Sequence, residues 1–143
     1  MLLGPDERAA GFTALGMTLE TGEPVALACT SGSAAANYYP AVVEAFYQHR
    51  PLVVLTADRP QEIIDQGWGK PSASKGFSIH ILKWRLTSCE SPLMKMARQY
   101  NQRLINEALH AARMGPVHIN IPFDEPLYGR IKAPGSQARF IRP

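Results

Sequence analysis

The sequence predicts an α/β fold: a three-layer sandwich with a mostly parallel central sheet and helices on both faces. Two short apolar runs, at residues 24–29 and 51–56, carry that prediction together with a later strand at 116–122, each opened by a proline. Strands buried on both faces read as continuous apolar runs of this length rather than as strict alternation. Stretches with helical spacing separate the runs, and that alternation gives parallel strands joined by right-handed crossovers.

Taken in order, Asp6 caps a helix that runs to about Thr21, with Ala10, Phe12, Thr13, Leu15, Met17 and Leu19 as a mixed apolar face and Gly22 as its stop. The strand at 24–29 follows. A helix over 33–49 sets Ala36, Tyr39, Val43, Ala45, Phe46 and Tyr47 largely on one side, with Pro40 near its first turns. Arg50-Pro51 ends it and the second strand begins at once. Residues 60–78, punctuated by Gly67, Gly69, Pro71, Ser72, Ser74 and Gly76, read as an irregular loop of functional length. A short strand at 80–84 and a helix over 91–113 come next, the helix carrying Leu93, Met96, Ala97, Tyr100, Leu104, Ala108, Leu109 and Ala112 at i, i+3, i+4 spacing and stopped by Gly115. The last strand is 116–122. No strand precedes the first helix, so the sheet is expected to lack its first strand. Residues 1–128 then form one N-terminally truncated domain, with a polar linker or loose tail at 129–143.

Composition narrows the function. The chain of 143 residues is 45% hydrophobic and 19% charged, ordinary for a globular domain. Its formal net charge of +3 comes partly from Arg130, Lys132, Arg139 and Arg142 near the end, and no basic stripe with interleaved aromatics points to nucleic acid. Two cysteines, Cys29 and Cys89, make no disulfide framework, which fits a reducing compartment. No apolar run reaches the ~20 residues of a membrane span, and the N-terminus does not read as a signal peptide, so a cytoplasmic protein away from membranes is expected.

Several residues carry candidate chemistry. Glu7 opens the first helix, where an acid either complements the helix dipole or sits beside a heterocyclic nitrogen to share its proton. Cys29-Thr30-Ser31-Gly32-Ser33-Ala34-Ala35-Ala36-Asn37 is a strand-to-helix turn. It is either a plain connector capped by Ser31 or Ser33, or a turn whose backbone faces a ligand. Arg59, directly after the second strand, is an anion clamp or a partner of Asp58 or Glu62. Gly67-Trp68-Gly69-Lys70-Pro71 lacks the spacing of a phosphate loop. His49, His80, His110 and His118 show no metal-ligand spacing, and His118 reads as a core or edge residue of its strand.

In register, Asp6-Glu7-Arg8-Ala9-Ala10-Gly11-Phe12, the turn from Cys29 to Asn37 with Tyr38-Tyr39-Pro40-Ala41-Val42 behind it, Pro51-Leu52-Val53-Val54-Leu55-Thr56-Ala57-Asp58-Arg59-Pro60 and Gly115-Pro116-Val117-His118-Ile119-Asn120-Ile121-Pro122 resemble one family. It is the pyrimidine-binding domain of thiamine-diphosphate enzymes, within it the MenD-type synthases of menaquinone biosynthesis. The resemblance spans residues 6–128. It implies that Glu7 hydrogen-bonds N1′ of the aminopyrimidine and favours its imino tautomer, the form that takes up the thiazolium proton. It implies cofactor contacts from Thr30, Ser31, Gly32, Ser33 and Asn37, and a carboxylate contact from Arg59. The implied reaction joins the unit left by decarboxylating 2-oxoglutarate to isochorismate, a transferase chemistry that belongs to the cofactor. Lys70 and Ser74 stand where the family carries glutamines, and Lys70 can hold a carboxylate only as a flexible point charge. The family's diphosphate and Mg²⁺ sit on a separate domain marked by Gly-Asp-Gly, absent here. The implied partner is therefore that domain of a second chain, in a homodimer or homotetramer, with only the pyrimidine end of the cofactor on this chain and no activity in isolation. An acetolactate-synthase-like carboligase is an alternative, but Ser33-Ala34 replaces that group's Pro-Gly. A non-catalytic partner-binding module is another.

Overall fold

The computed structural model describes Gly4 and residues 6–60, 84–87 and 95–123. The elements run α1 (Glu7–Thr21), β1 (Val25–Cys29), α2 (Ser33–Asn37), α3 (Tyr39–Tyr47), β2 (Leu52–Asp58), β3 (Trp84–Thr87), α4 (Lys95–Ala112) and β4 (Val117–Pro122). The strands form a sheet ordered β1-β2-β4-β3, with every described pairing parallel. Thr56 stands opposite Asn120, and Val54 opposite His118.

The residues on each face explain the layers. Leu52 and Val54 of β2 join Ala14, Leu15, Leu27, Tyr38, Val42 and Ala45 in one core, under α1 and α3. Val53, one register step away, joins Val117, Ile119, Leu104, Ala108 and Ala112 in a second core under α4. Successive strand residues face opposite ways, so one strand feeds both cores.

The predicted α/β sandwich is thus present, with corrections in its parts. The helix expected over 33–49 is two helices that meet at Tyr38. Pro40 has no N–H to give the carbonyl one turn earlier, so the ladder is interrupted there. α3 then closes with His49 at φ 52°, in the left-handed region, and Arg50 N–H donates to Ala45 O at 2.8 Å. The predicted apolar face of α1 holds only in part: Leu15 is buried and Ala10 half-buried, but Phe12, Met17 and Leu19 are exposed, and Gly11, Ala14 and Thr18 complete the buried side. The reason is a close helix crossing. A Cβ on Gly11 would lie 3.2 Å from the Ala41 Cβ and 3.4 Å from the Tyr38 ring, so α3 approaches α1 where side chains are small.

Strand β2 runs two residues beyond the expected end, to Asp58. β3 begins at Trp84, so most of the strand placed at 80–84 lies outside the described residues, as do the first turn expected of α4, Lys70 and the segment 129–143. His118 is in β4, an interior strand of the described sheet, and is fully buried rather than at an edge.

Candidate active site at the carboxyl edge of the sheet

Parallel strands bring their carboxyl ends to one edge, where open α/β sheets take ligands. β1 arrives there with Cys29 and β2 with Asp58 and Arg59. α1 starts there too, because it runs down to the Gly22 turn before β1 runs back. Asp6 caps α1, its Oδ1 accepting from Ala9 N–H at 2.8 Å, and Gly22 at φ 70° closes it with its N–H on Thr18 O at 3.0 Å. With Asp6 as the cap, Glu7 is not needed to satisfy the helix end, and it stands half-buried at the first helical position.

Two weak acids sit close to Glu7. The Cys29 thiol is pushed up to about 11, mainly by burial and then by the negative charge of Glu7, while its hydrogen bond with Tyr38 pulls the other way. The Tyr38 hydroxyl is pushed up to about 12 by burial, Cys29 and Glu7. Both groups stay protonated at neutral pH. Tyr38 is buried and donates to Ala28 O at 3.0 Å, so it ties the junction of α2 and α3 to β1 while its ring packs against Gly11 of α1. Sequence reading missed Tyr38; a tyrosine with an apolar body and a polar tip, set among small residues, was the available signal.

The turn after β1 is divided between exposed and buried residues. Thr30 and Ser33 are exposed, Ser31 is half-buried and Gly32 is buried. The N-cap of α2 is Gly32, not Ser31 or Ser33, at φ 81° and ψ −140°, a conformation that only glycine takes without strain. Gly32 thus brings bare backbone to the edge. Asn37 turns its amide back onto Ser33 O at 3.1 Å, a bond within its own helix. Arg59 is exposed at the end of β2, and its backbone N–H donates to the Asp58 Oδ1 at 2.9 Å.

Below Arg59 lies a buried polar ladder. Thr56 Oγ1 is 2.8 Å from His118 Nε2 and donates to Asn120 Oδ1 at 2.6 Å, and Asn120 Nδ2 donates to Asp58 Oδ2 at 3.2 Å. Thr56 and His118 are fully buried, Asp58 and Asn120 nearly so. Asp58 O also accepts from Phe123 N–H at 2.8 Å. Sequence reading did not place these four together, although polar residues at alternate positions of two apolar strands were the signal.

The edge therefore combines a carboxylate at a helix start, two protonated weak acids beside it, a glycine turn and an arginine. That set can exchange a proton with a flat nitrogen heterocycle and hold an acid nearby. Among the described residues, no three His, Cys, Asp or Glu side chains are grouped to hold a metal ion, and no helix is long and apolar enough to cross a membrane.

Residues 1–77 match the family described as thiamine pyrophosphate enzyme, N-terminal TPP binding domain. The chain is also similar to curated proteins named 2-succinyl-5-enolpyruvyl-6-hydroxy-3-cyclohexene-1-carboxylate synthase. It is 49% identical to that of Flavobacterium psychrophilum over 126 residues, 86% of this chain and 22% of that protein. For Porphyromonas gingivalis the identity is 46% over 139 residues, 95% of this chain and 24% of that protein. For Cytophaga hutchinsonii it is 49% over 138 residues, 92% and 24%. The chain spans about a quarter of the length of the curated relatives it matches.

Proposed function

Because the chain belongs to the family of N-terminal TPP binding domains of thiamine pyrophosphate enzymes, we propose that it is the pyrimidine-binding domain of a 2-succinyl-5-enolpyruvyl-6-hydroxy-3-cyclohexene-1-carboxylate synthase. One observation carries this reading: Glu7 stands at the start of α1, released from capping by Asp6, beside Cys29 and Tyr38 at the carboxyl edge of the sheet.

These residues fit thiamine diphosphate at its pyrimidine end. Glu7 would share a proton with N1′ of the ring, and burial of Cys29 and Tyr38 keeps both from adding further negative charge beside it. The Gly32 turn would set backbone beside a flat ring in a conformation that a residue with a side chain takes only with strain. Thr30, Ser31, Ser33 and Asn37 would line the same turn. Arg59, and with it Lys70, would take the carboxylates of 2-oxoglutarate and isochorismate, the guanidinium in a paired hydrogen-bond geometry. When bound, the cofactor supplies the electron sink for decarboxylating a 2-oxo acid and transferring what remains. Diphosphate and Mg²⁺ are assigned to a separate domain of a second chain, in a homodimer or homotetramer working in the cytoplasm.

The test joins this chain to a diphosphate-binding domain from one of its relatives and follows consumption of isochorismate with 2-oxoglutarate. Glu7→Gln is expected to lower turnover by about 10²–10⁴-fold, the usual reach of a positioned acid–base group, at an unchanged melting temperature. Equal turnover in the two forms, or use of pyruvate in place of 2-oxoglutarate, would sink the proposal.

A further inference from the structure

We propose that His118, Thr56 and Asn120 form a one-way hydrogen-bond relay that pins the Asp58 carboxylate, and that Asn120 is thereby a positioning residue for Arg59. The inference rests on the reading of Arg59 as the carboxylate anchor.

Direction follows from proton counting. Thr56 has one hydroxyl proton, and it points to Asn120 Oδ1. The contact between Thr56 Oγ1 and His118 Nε2 then needs the proton on the ring nitrogen, so His118 donates. Asn120 can face Asp58 Oδ2 only with its NH₂ end, because its carbonyl would meet a carboxylate oxygen. Every bond in the series thus points towards Asp58. The ladder climbs between two strands: Thr56 and Asn120 are direct cross-strand partners, and the other two steps are diagonal.

At its upper end Asp58 meets three donors. Asn120 Nδ2 reaches one carboxylate oxygen, Arg59 N–H the other, and Phe123 N–H the backbone carbonyl. The side chain that leaves the sheet at Arg59 therefore starts from a backbone held on both strands. A buried carboxylate without donors would be costly, and polar ladders of this kind are stable only when complete.

The test uses the isotopically labelled 143-residue chain. In the unaltered chain the His118 ring is expected to carry its proton on Nε2; a proton on Nδ1 alone would reverse the ladder and overturn the proposal. Hydrogen exchange of the Arg59 amide is then compared in Thr56→Val and Thr56→Ser. Valine is expected to speed exchange at Arg59 about tenfold, the scale of one lost hydrogen bond, beyond the factor by which lost global stability speeds the amides of Val53 and Val54, and serine to restore protection. Equal Arg59 exchange in all three would also overturn it. Titration with succinate reads the other premise separately: a shift at Arg59 supports the anion anchor, and its absence removes that anchor while the exchange result still decides the relay.

Discussion

The two faces of one sheet are built from the same strands and differ in kind. Towards α4, β2 and β4 offer Val53, Val117 and Ile119, and the helix answers with Leu104, Ala108 and Ala112. On the opposite face β2 starts apolar, with Leu52 and Val54, and turns polar towards its carboxyl end, with Thr56 and Asp58, while β4 sets His118 and Asn120 beside them. Burial is equal on both sides, so hydrophobic energy alone does not choose between them. Buried polar groups are a burden unless each finds a partner, and among the described residues of β2 and β4 they fall in the rungs that lead to Arg59. Plain packing holds the sheet together, and polarity is confined to the edge that serves the proposed site.

Replacing a side chain on the apolar face should cost more stability than breaking the ladder. Ile119→Ala removes three carbons from a fully packed position and is expected to cost about 3 kcal/mol, read from the urea midpoint. Thr56→Val should cost about 2 kcal/mol although it is nearly isosteric and more apolar, because His118 and Asn120 both lose their partner. In the double variant with Asn120→Leu the losses should fall short of their sum, as expected for groups in one network. A stabilising Thr56→Val would erase the contrast between the faces.

Much of that contrast was legible in the sequence, and the remainder has physical reasons for being hidden. The strands were readable because a parallel strand buried on both faces is a nearly unbroken apolar run, as 51–55 is, and because 116–122 alternates β-branched residues with His118 and Asn120 between two prolines. Glu7 and the Gly32 turn were readable because each lies at a local boundary. The ladder joins Thr56 to Asn120, 64 residues apart, and no local pattern pairs them. Tyr38 and the inner face of α1 were hidden for another reason. Close approach of α3 selects small residues at Gly11 and Ala14, and larger ones are left outside, against the rule that large apolar residues point in.

The Cys29 thiol tests whether Glu7 stands where the site needs it. In a Cys89→Ser background, alkylation at neutral pH should run about tenfold slower than for an ordinary thiol. Raising the value from 9.0 to about 11 lowers the thiolate fraction about a hundredfold, and the greater nucleophilicity of the more basic thiolate returns roughly a tenfold gain. Glu7→Gln should lower the midpoint, since its charge is the second cause of the rise. The sign for stability follows from the same shift. Between pH 9.0 and about 11 the folded chain keeps a proton that the unfolded chain has released, so stability falls as pH rises through that window. An equal midpoint in the two forms would place Glu7 away from Cys29.

The smallest effect is expected on the outer side of α1, and it is informative because it is small. Phe12 is 47% exposed and Leu15 only 5%, although both belong to the face that spacing alone would turn inward. Phe12→Ser should therefore change stability by no more than about 0.5 kcal/mol, whereas Leu15→Ala should cost about 2–5 kcal/mol, both read from urea midpoints on the same chain. Equal losses would mean that α1 is rotated about its axis relative to the arrangement described. Rotation would take Gly11 out of the α3 crossing and carry Glu7 away from Cys29 and Tyr38. A large loss at Phe12 would thus count against the candidate site as well as against the packing of one helix.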